Sequence, residues 1–164
     1  MGYTTEFEGS IAIEPPLSEE ERDFLVRFSK TRRMARRNAP FFVGGSGDFG
    51  QGEDPDIEEY NMPPEGQPSL WCQWTPNEDG AALEWDGWDK FYKADRWMAY
   101  LVEQFLGSSP QAVAALPFLS GHVLNGTIEA QGEDPDDHWL LVVKDNEVSV
   151  VLLGSAAIGG WGGA

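Results

Sequence analysis

Tyr3-Thr-Thr-Glu-Phe-Glu-Gly-Ser-Ile-Ala-Ile-Glu-Pro-Pro-Leu-Ser-Glu-Glu-Glu-Arg-Asp-Phe-Leu-Val-Arg-Phe28 changes its hydrophobic period at its centre, and that change decides the fold class. Before the two prolines, Phe7, Ile11 and Ile13 fall on odd positions, the alternation of a strand with one face in a core. Residues 3–14 are therefore predicted as a strand, with Gly9 placed where a bulge would fall. Pro15-Pro16 stop it. Ser18-Glu-Glu-Glu21 then has the form of a capping box, in which the serine accepts the Glu21 amide and the Glu21 side chain reaches back. Acids in the first turn and bases in the last suit the helix dipole. Phe24, Leu25 and Phe28 form one apolar stripe, so the spacing predicts a helix over 19–34.

The same signals recur outward. Leu70-Trp-Cys-Gln-Trp74 and Ala82-Leu-Glu-Trp85 read as a hairpin turned by Asn77-Glu-Asp-Gly80. Trp97, Leu101 and Phe105, four apart, predict a second helix over 94–106, with Gly107 just past its end. Ser109-Pro110 reads as a cap and first residue of a short helix that Pro117 ends. Val123, Ile128 and Ala130 belong to the next strand, and 138–144 and 147–153 form a last hairpin around Asp145-Asn146. The order is β-α-(loop)-β-β-α-β-β-β. It predicts an α+β two-layer sandwich: a ferredoxin-like antiparallel sheet, two long helices on one face, and an added C-terminal strand. Residues 1–153 are expected to form one domain, followed by a Gly-rich tail over 154–164. A long insertion over 38–69 interrupts the domain, and ten of the 25 residues from Gly44 to Pro68 are Gly or Pro. A loop of this length is either a functional cover or a plain insertion.

Charge narrows the function classes. The chain of 164 residues carries 28 acidic and 11 basic residues, a net −17. Such a surface repels nucleic acid and anionic membrane and attracts a basic protein. Residues 1–37 are balanced, so the whole excess lies beyond them. Seven bases crowd between Arg22 and Arg37. This basic stretch either docks on the protein's own acidic body or forms a partner surface through Arg32, Arg33 and Arg36. No apolar run reaches 18 residues, and the polar, acidic start does not read as a signal peptide.

Candidate sites follow from residue type. Gln51-Gly-Glu-Asp-Pro-Asp56 and Gln131-Gly-Glu-Asp-Pro-Asp136 are identical, with different flanks. Glu53, Asp54, Asp56, Glu133, Asp134, Asp136 and Asp137 are either solvated turns or oxygen ligands for calcium or magnesium. Seven tryptophans are many for this length. Trp71 and Trp74, three apart on a strand, are predicted on opposite faces: one in the core, the other under the long loop, a partner or a planar ligand. Trp85 and Trp88 join them as binding candidates. His122 and His138 show no triad spacing, so no catalytic residue is assigned. Cys72 reads as a buried, inert thiol. Gly44-Gly-Ser-Gly-Asp-Phe-Gly50 lacks the lysine of a phosphate loop.

Met1-Gly-Tyr3, Leu70-Trp-Cys-Gln-Trp74, Glu84-Trp-Asp86, Asn125-Gly-Thr-Ile128 and Gln131-Gly-Glu-Asp-Pro-Asp-Asp137 together resemble a family of small acidic uncharacterised proteins of actinobacteria and their tailed phages. The resemblance spans residues 1–148. Gly132-Glu-Asp-Pro-Asp-Asp-His-Trp139 is also similar to a Gly-Glu-Glu-x-x-Asp-x-Trp segment that ends short phage-encoded proteins opening with Met-Gly-Tyr. Neither resemblance brings an activity; what they imply is a phage-encoded protein in the cytoplasm of a bacterial host. The expected function is non-enzymatic binding of a basic host or phage protein, in a narrower form as a nucleic-acid mimic or inhibitor. The alternative is a binder of a nucleotide or sugar, assisted by a divalent cation. Trp161 in the tail is expected to insert into an apolar pocket, either on its own sheet or on a neighbouring copy, the second making a homo-oligomer.

Overall fold

A computed structural model describes residues 3–38 and 40–154. Its elements are β1 (Glu6–Glu14), α1 (Glu19–Ser29), β2 (Ala35–Arg36), β3 (Ile57–Glu59), β4 (Trp74–Pro76), β5 (Ala82–Trp85), α2 (Ala94–Leu101), β6 (Val123–Gln131), β7 (His138–Lys144) and β8 (Glu147–Leu152). The fold is mixed α and β. A six-stranded sheet runs β4-β5-β1-β6-β7-β8 with every neighbouring pair antiparallel, and β2 and β3 form a separate two-stranded ribbon. The expected order of main elements is the observed one. The hairpin expected over 138–153 forms as β7 and β8, which places two strands beyond β6 where the ferredoxin-like plan has one added strand.

The switch of period explains the first two elements. Phe7, Ile11 and Ile13 are buried while Glu6, Glu8, Ser10, Ala12 and Glu14 are exposed. The β1–β6 register runs unbroken from Glu6↔Gln131 to Glu14↔Val123, so no bulge occurs at Gly9. Gly9 answers a close approach instead: a Cβ there would lie 2.6 Å from the Thr127 carbonyl oxygen, at φ +115°. Its β6 counterpart Gly126 would meet the Ser10 oxygen at the same distance. The capping box forms as predicted, with Glu21 N donating to Ser18 Oγ at 3.1 Å and Ser18 N to Glu21 Oε1 at 3.0 Å.

Helix α1 ends at Ser29, five residues before the predicted end, because the backbone beyond it finds partners elsewhere. Arg32 N donates to Phe49 O and Arg33 N to Leu70 O, while Thr31 Oγ1 closes the last turn on the Arg27 carbonyl. The second helix keeps its apolar stripe but changes pitch: α2 continues as a π-helical turn over Val102–Leu106, closed by Gly107 N donating to Val102 O at 2.7 Å. Gly107 is extended, not left-handed; its missing Cβ admits the Val102 carbonyl. Pro110 takes the cap position of a 3-10 turn over Gln111–Ala114, without the serine cap expected at Ser109.

The hairpins form with shifted bounds. Asn77 Oδ1 accepts the Ala81 and Ala82 amides, and β4 begins only at Trp74 because Leu70 O is committed to Arg33. The last hairpin turns on Asp145 and Asn146, at φ +47° and +72°, as the left-handed pair of a tight turn requires. The core gathers Phe24 and Phe28 of α1, Trp97 and Met98 of α2, and Ile11, Leu83, Leu124, Ile128 and Leu141 of the sheet. Among the described residues no helix is long and apolar enough to cross a membrane. The tail from residue 155, including Trp161, lies outside the described residues.

Candidate functional site

Two residues of the basic stretch, Arg33 and Arg36, are turned inward, while Arg27, Lys30 and Arg37 are exposed. Arg33 is buried, lies 4.0 Å from the centre of the Phe28 ring, and donates to Gln67 Oε1, Phe42 O and Pro40 O. Burial pushes its guanidinium down to about 10. Arg36, also buried, lies over Phe42 at 4.3 Å and pairs with Asp54 at 3.2 Å and Asp56 at 2.9 Å. Arg32 lies over Tyr60 and donates to Asn61. Thus Arg33 and Arg36 are not a partner surface. They anchor the 38–69 segment, which is no bare loop: its β3 pairs with β2, and Arg36 clamps the turn beside it. A guanidinium has five donors, which is why an arginine can gather a stretch with so little apolar material of its own.

The two identical acidic segments do different structural work. In the first, Asp54 and Asp56 hold Arg36, and Asp54 also accepts Ser46 N. The Ser46 hydrogen bonds, and then Arg36, keep the Asp54 carboxyl below its ordinary range. In the second, Asp137 accepts the Tyr3 hydroxyl at 2.8 Å, Glu133 accepts Thr4 N at 2.7 Å, and Asp134 N donates to Tyr3 Oη. This copy pins the start of the chain to the β6–β7 turn. Glu53 and Asp136 are exposed. Among the described residues no group of three or more His, Cys, Asp or Glu side chains is arranged to hold a metal ion.

The tryptophans separate by role. Trp74 is only 1% exposed; its Nε1 donates to Ala94 O at 2.8 Å and its ring meets Phe91 at 4.9 Å. It is a core residue, not a binding residue. Trp85 packs edge-on to Phe7 and donates Nε1 to Gln73 Oε1, so it supports a neighbouring side chain. Trp71 and Trp88 remain at the surface. Trp71 is half-buried and meets Phe49 of the long segment edge-on at 5.8 Å; Trp88 is 65% exposed.

Trp71, Phe49 and Trp88 line a cavity of about 430 Å³, joined by Gln73, Asp86 and Asp89. Asp86 is half-buried, and desolvation pushes its carboxyl up to about 6 against the lowering effect of the Trp88 amide it accepts at 2.9 Å. Neither aspartate pairs with a Lys, Arg or His side chain among the described residues. The sequence reading missed Phe49, Asp86 and Asp89. One signal was legible: an aromatic residue set between Asp48 and Gly50 in a glycine-rich run, which here adopts φ +56°.

A second cluster joins the capping box to the far side of the chain. Glu21, buried in full, accepts Ser120 N at 2.9 Å and faces His122 Nε2 at 3.0 Å. His122 Nδ1 stands 2.7 Å from Pro15 O. Both ring nitrogens face protein oxygens, and the ring is buried away from the lining of the Trp71–Trp88 cavity. Ser120, His122 and Glu21 are therefore a buried tie rather than a catalytic relay. Burial opposes the Glu21 charge, but the Ser18, His122 and Ser120 donors outweigh it and lower the carboxyl. Burial pushes the Cys72 thiol up to about 12, far from a reactive thiolate. No family model, no curated protein and no solved structure matches this chain.

Proposed function

We propose that this chain is a non-enzymatic acidic interaction protein that binds a basic protein partner, on a ferredoxin-like core whose helices cover one face of the sheet. The proposal includes a phage-encoded origin, action in the bacterial cytoplasm, and, in its narrower form, mimicry of a nucleic acid by carboxylates standing in for phosphates. The split order supports the core: β5 lies between β4 and β1, and β6 flanks β1 on its other side.

The observation that carries the function is the register Glu8↔Glu129. Two exposed carboxylates stand directly opposite each other on the outward side of the sheet, an arrangement that costs stability in an isolated protein. Glu6 and Glu14 lie along the same side of β1, and Glu84 projects from β5 beside it. Arg33 and Arg36 are engaged in the interior and add no counter-charge to this face. Glu129 Oε2 stands 2.6 Å from His138 Nε2, while Glu8 has no basic side chain paired with it among the described residues; a basic partner would supply further counter-charge to this row of carboxylates.

The test is retention of host proteins on the immobilised full chain and on Glu8→Lys/Glu129→Lys, which keeps a like-charge pair but reverses its sign. Retention of one identified basic protein is expected on the wild type. It should fall steeply from 50 to 200 mM salt, as screening over about 10 Å requires, and be lost on the variant. Equal retention by both forms, or direct DNA binding by the wild type at physiological salt, refutes the reading.

A further inference from the structure

We propose that the cavity between Phe49, Trp71 and Trp88 is a socket for an organic cation, specifically the guanidinium of an arginine side chain carried by the basic partner. The inference rests on the proposed function for its source of arginine, but the site is argued from its own lining.

The polar groups of the cavity wall decide the chemistry. Gln73 is committed at both ends of its amide, with Nε2 donating to Asp89 O at 3.2 Å and Oε1 accepting Trp85 Nε1 at 3.2 Å. Gln51 is likewise engaged, by Asp48 O and the Tyr60 hydroxyl. Ser29 Oγ donates to Val26 O and reaches Thr75 Oγ1. The amides and hydroxyls of Gln51, Gln73, Ser29 and Thr75 are thus turned to the protein itself. The carboxylates of Asp86, which accepts the Trp88 amide, and of Asp89 have no cationic partner among the described residues, and the exposed Lys30 is the one base in the lining.

Aromatic surface beside unpaired carboxylate is the environment of a cation. Ring faces attract it through their quadrupole, and a planar guanidinium both stacks and donates in pairs to a carboxylate. The molecule already uses this combination in its interior. Arg36 lies over Phe42 with Asp54 and Asp56 as acceptors, and Arg33 lies over Phe28. The cavity lining holds the same residue types that surround Arg36, two aspartates and aromatic rings. Desolvation of Asp86 acts in the same direction, because a carboxylate held away from water gains most from an arriving positive charge.

The experiment titrates the full chain with Nα-acetyl-arginine methylamide and with its citrulline counterpart, equal in shape but uncharged, and reads tryptophan fluorescence. Glucose and adenosine serve as neutral ring probes. Saturable binding of the arginine probe is expected, with the citrulline probe about tenfold weaker or more. Asp86→Asn should lose a similar factor, and Trp88→Ala, a change at an exposed position, should weaken binding with the thermal melt unchanged. Equal binding of the two matched probes, tighter binding of glucose or adenosine, or an arginine response unaltered in both variants overturns the socket. The outcomes remain separable from those of the proposed function. Loss of the socket with partner capture still abolished by Glu8→Lys/Glu129→Lys leaves the acidic sheet face as the binding surface. Arginine binding that persists when charge reversal has no effect refutes the interaction reading and keeps the socket.

Discussion

Replacing Glu21 with Gln should be among the costliest single-atom changes available in this protein. The carboxylate accepts Ser18 N, Ser120 N and His122 Nε2, and Ser120 Oγ stands 3.3 Å away. A glutamine keeps one accepting oxygen and sets an NH2 against the remaining donors, which are shut away from water. Leaving the partners of a buried carboxylate unsatisfied costs about 3–5 kcal/mol, much of a typical domain's total of about 5–15 kcal/mol. Because the donors hold the Glu21 carboxyl below its unfolded value, its contribution is full above about pH 4.5 and is lost as pH falls through the lower, folded-state value. Urea unfolding at pH 7 should therefore show a midpoint reduced by an amount worth about 3–5 kcal/mol, and the gap should narrow in acid. The double variant Glu21→Met/His122→Leu should lose less than the summed single changes, since no buried charge is then orphaned. A loss under about 1 kcal/mol for Glu21→Gln, or strict additivity in the cycle, would refute the account of this tie.

Asp86→Asn offers a second pH test with the opposite sign. Its folded-state value, about 6, lies above the usual carboxylate range, so ionisation opposes folding; the variant should match the wild type near pH 4 and melt higher than it above pH 6, as seen by circular dichroism. Gly126→Ala should destabilise by about 1–3 kcal/mol in denaturant, because the new Cβ would fall 2.6 Å from Ser10 O and 2.9 Å from Ile11 Cα, both backbone atoms of β1; an unchanged midpoint would mean that the β1–β6 ladder can open locally.

Periodicity, punctuation and capping chemistry are local properties, and the elements that depend on them were legible in the residues. The alternation of Phe7, Ile11 and Ile13, the Ser18–Glu21 box, the Asn77–Gly80 turn and the Asp145-Asn146 turn each follow from side chains within a few positions. What could not be read there is where a backbone or a charge finds a distant partner. Helix α1 stops at Ser29 because Phe49 O and Leu70 O outbid the helix for the next amides, and neither residue is near in sequence. Identical acidic segments acquired different duties because one met Arg36 and the other met Tyr3 and Thr4. Trp74 and Trp71 are the same residue type three positions apart. Only the packing of Phe7 and Phe91 on one, and Phe49 on the other, sent Trp74 into the core and left Trp71 at the mouth of a cavity. Local pattern specifies which face of an element is apolar; long-range contact, which no window of sequence contains, decides which polar groups remain free to act.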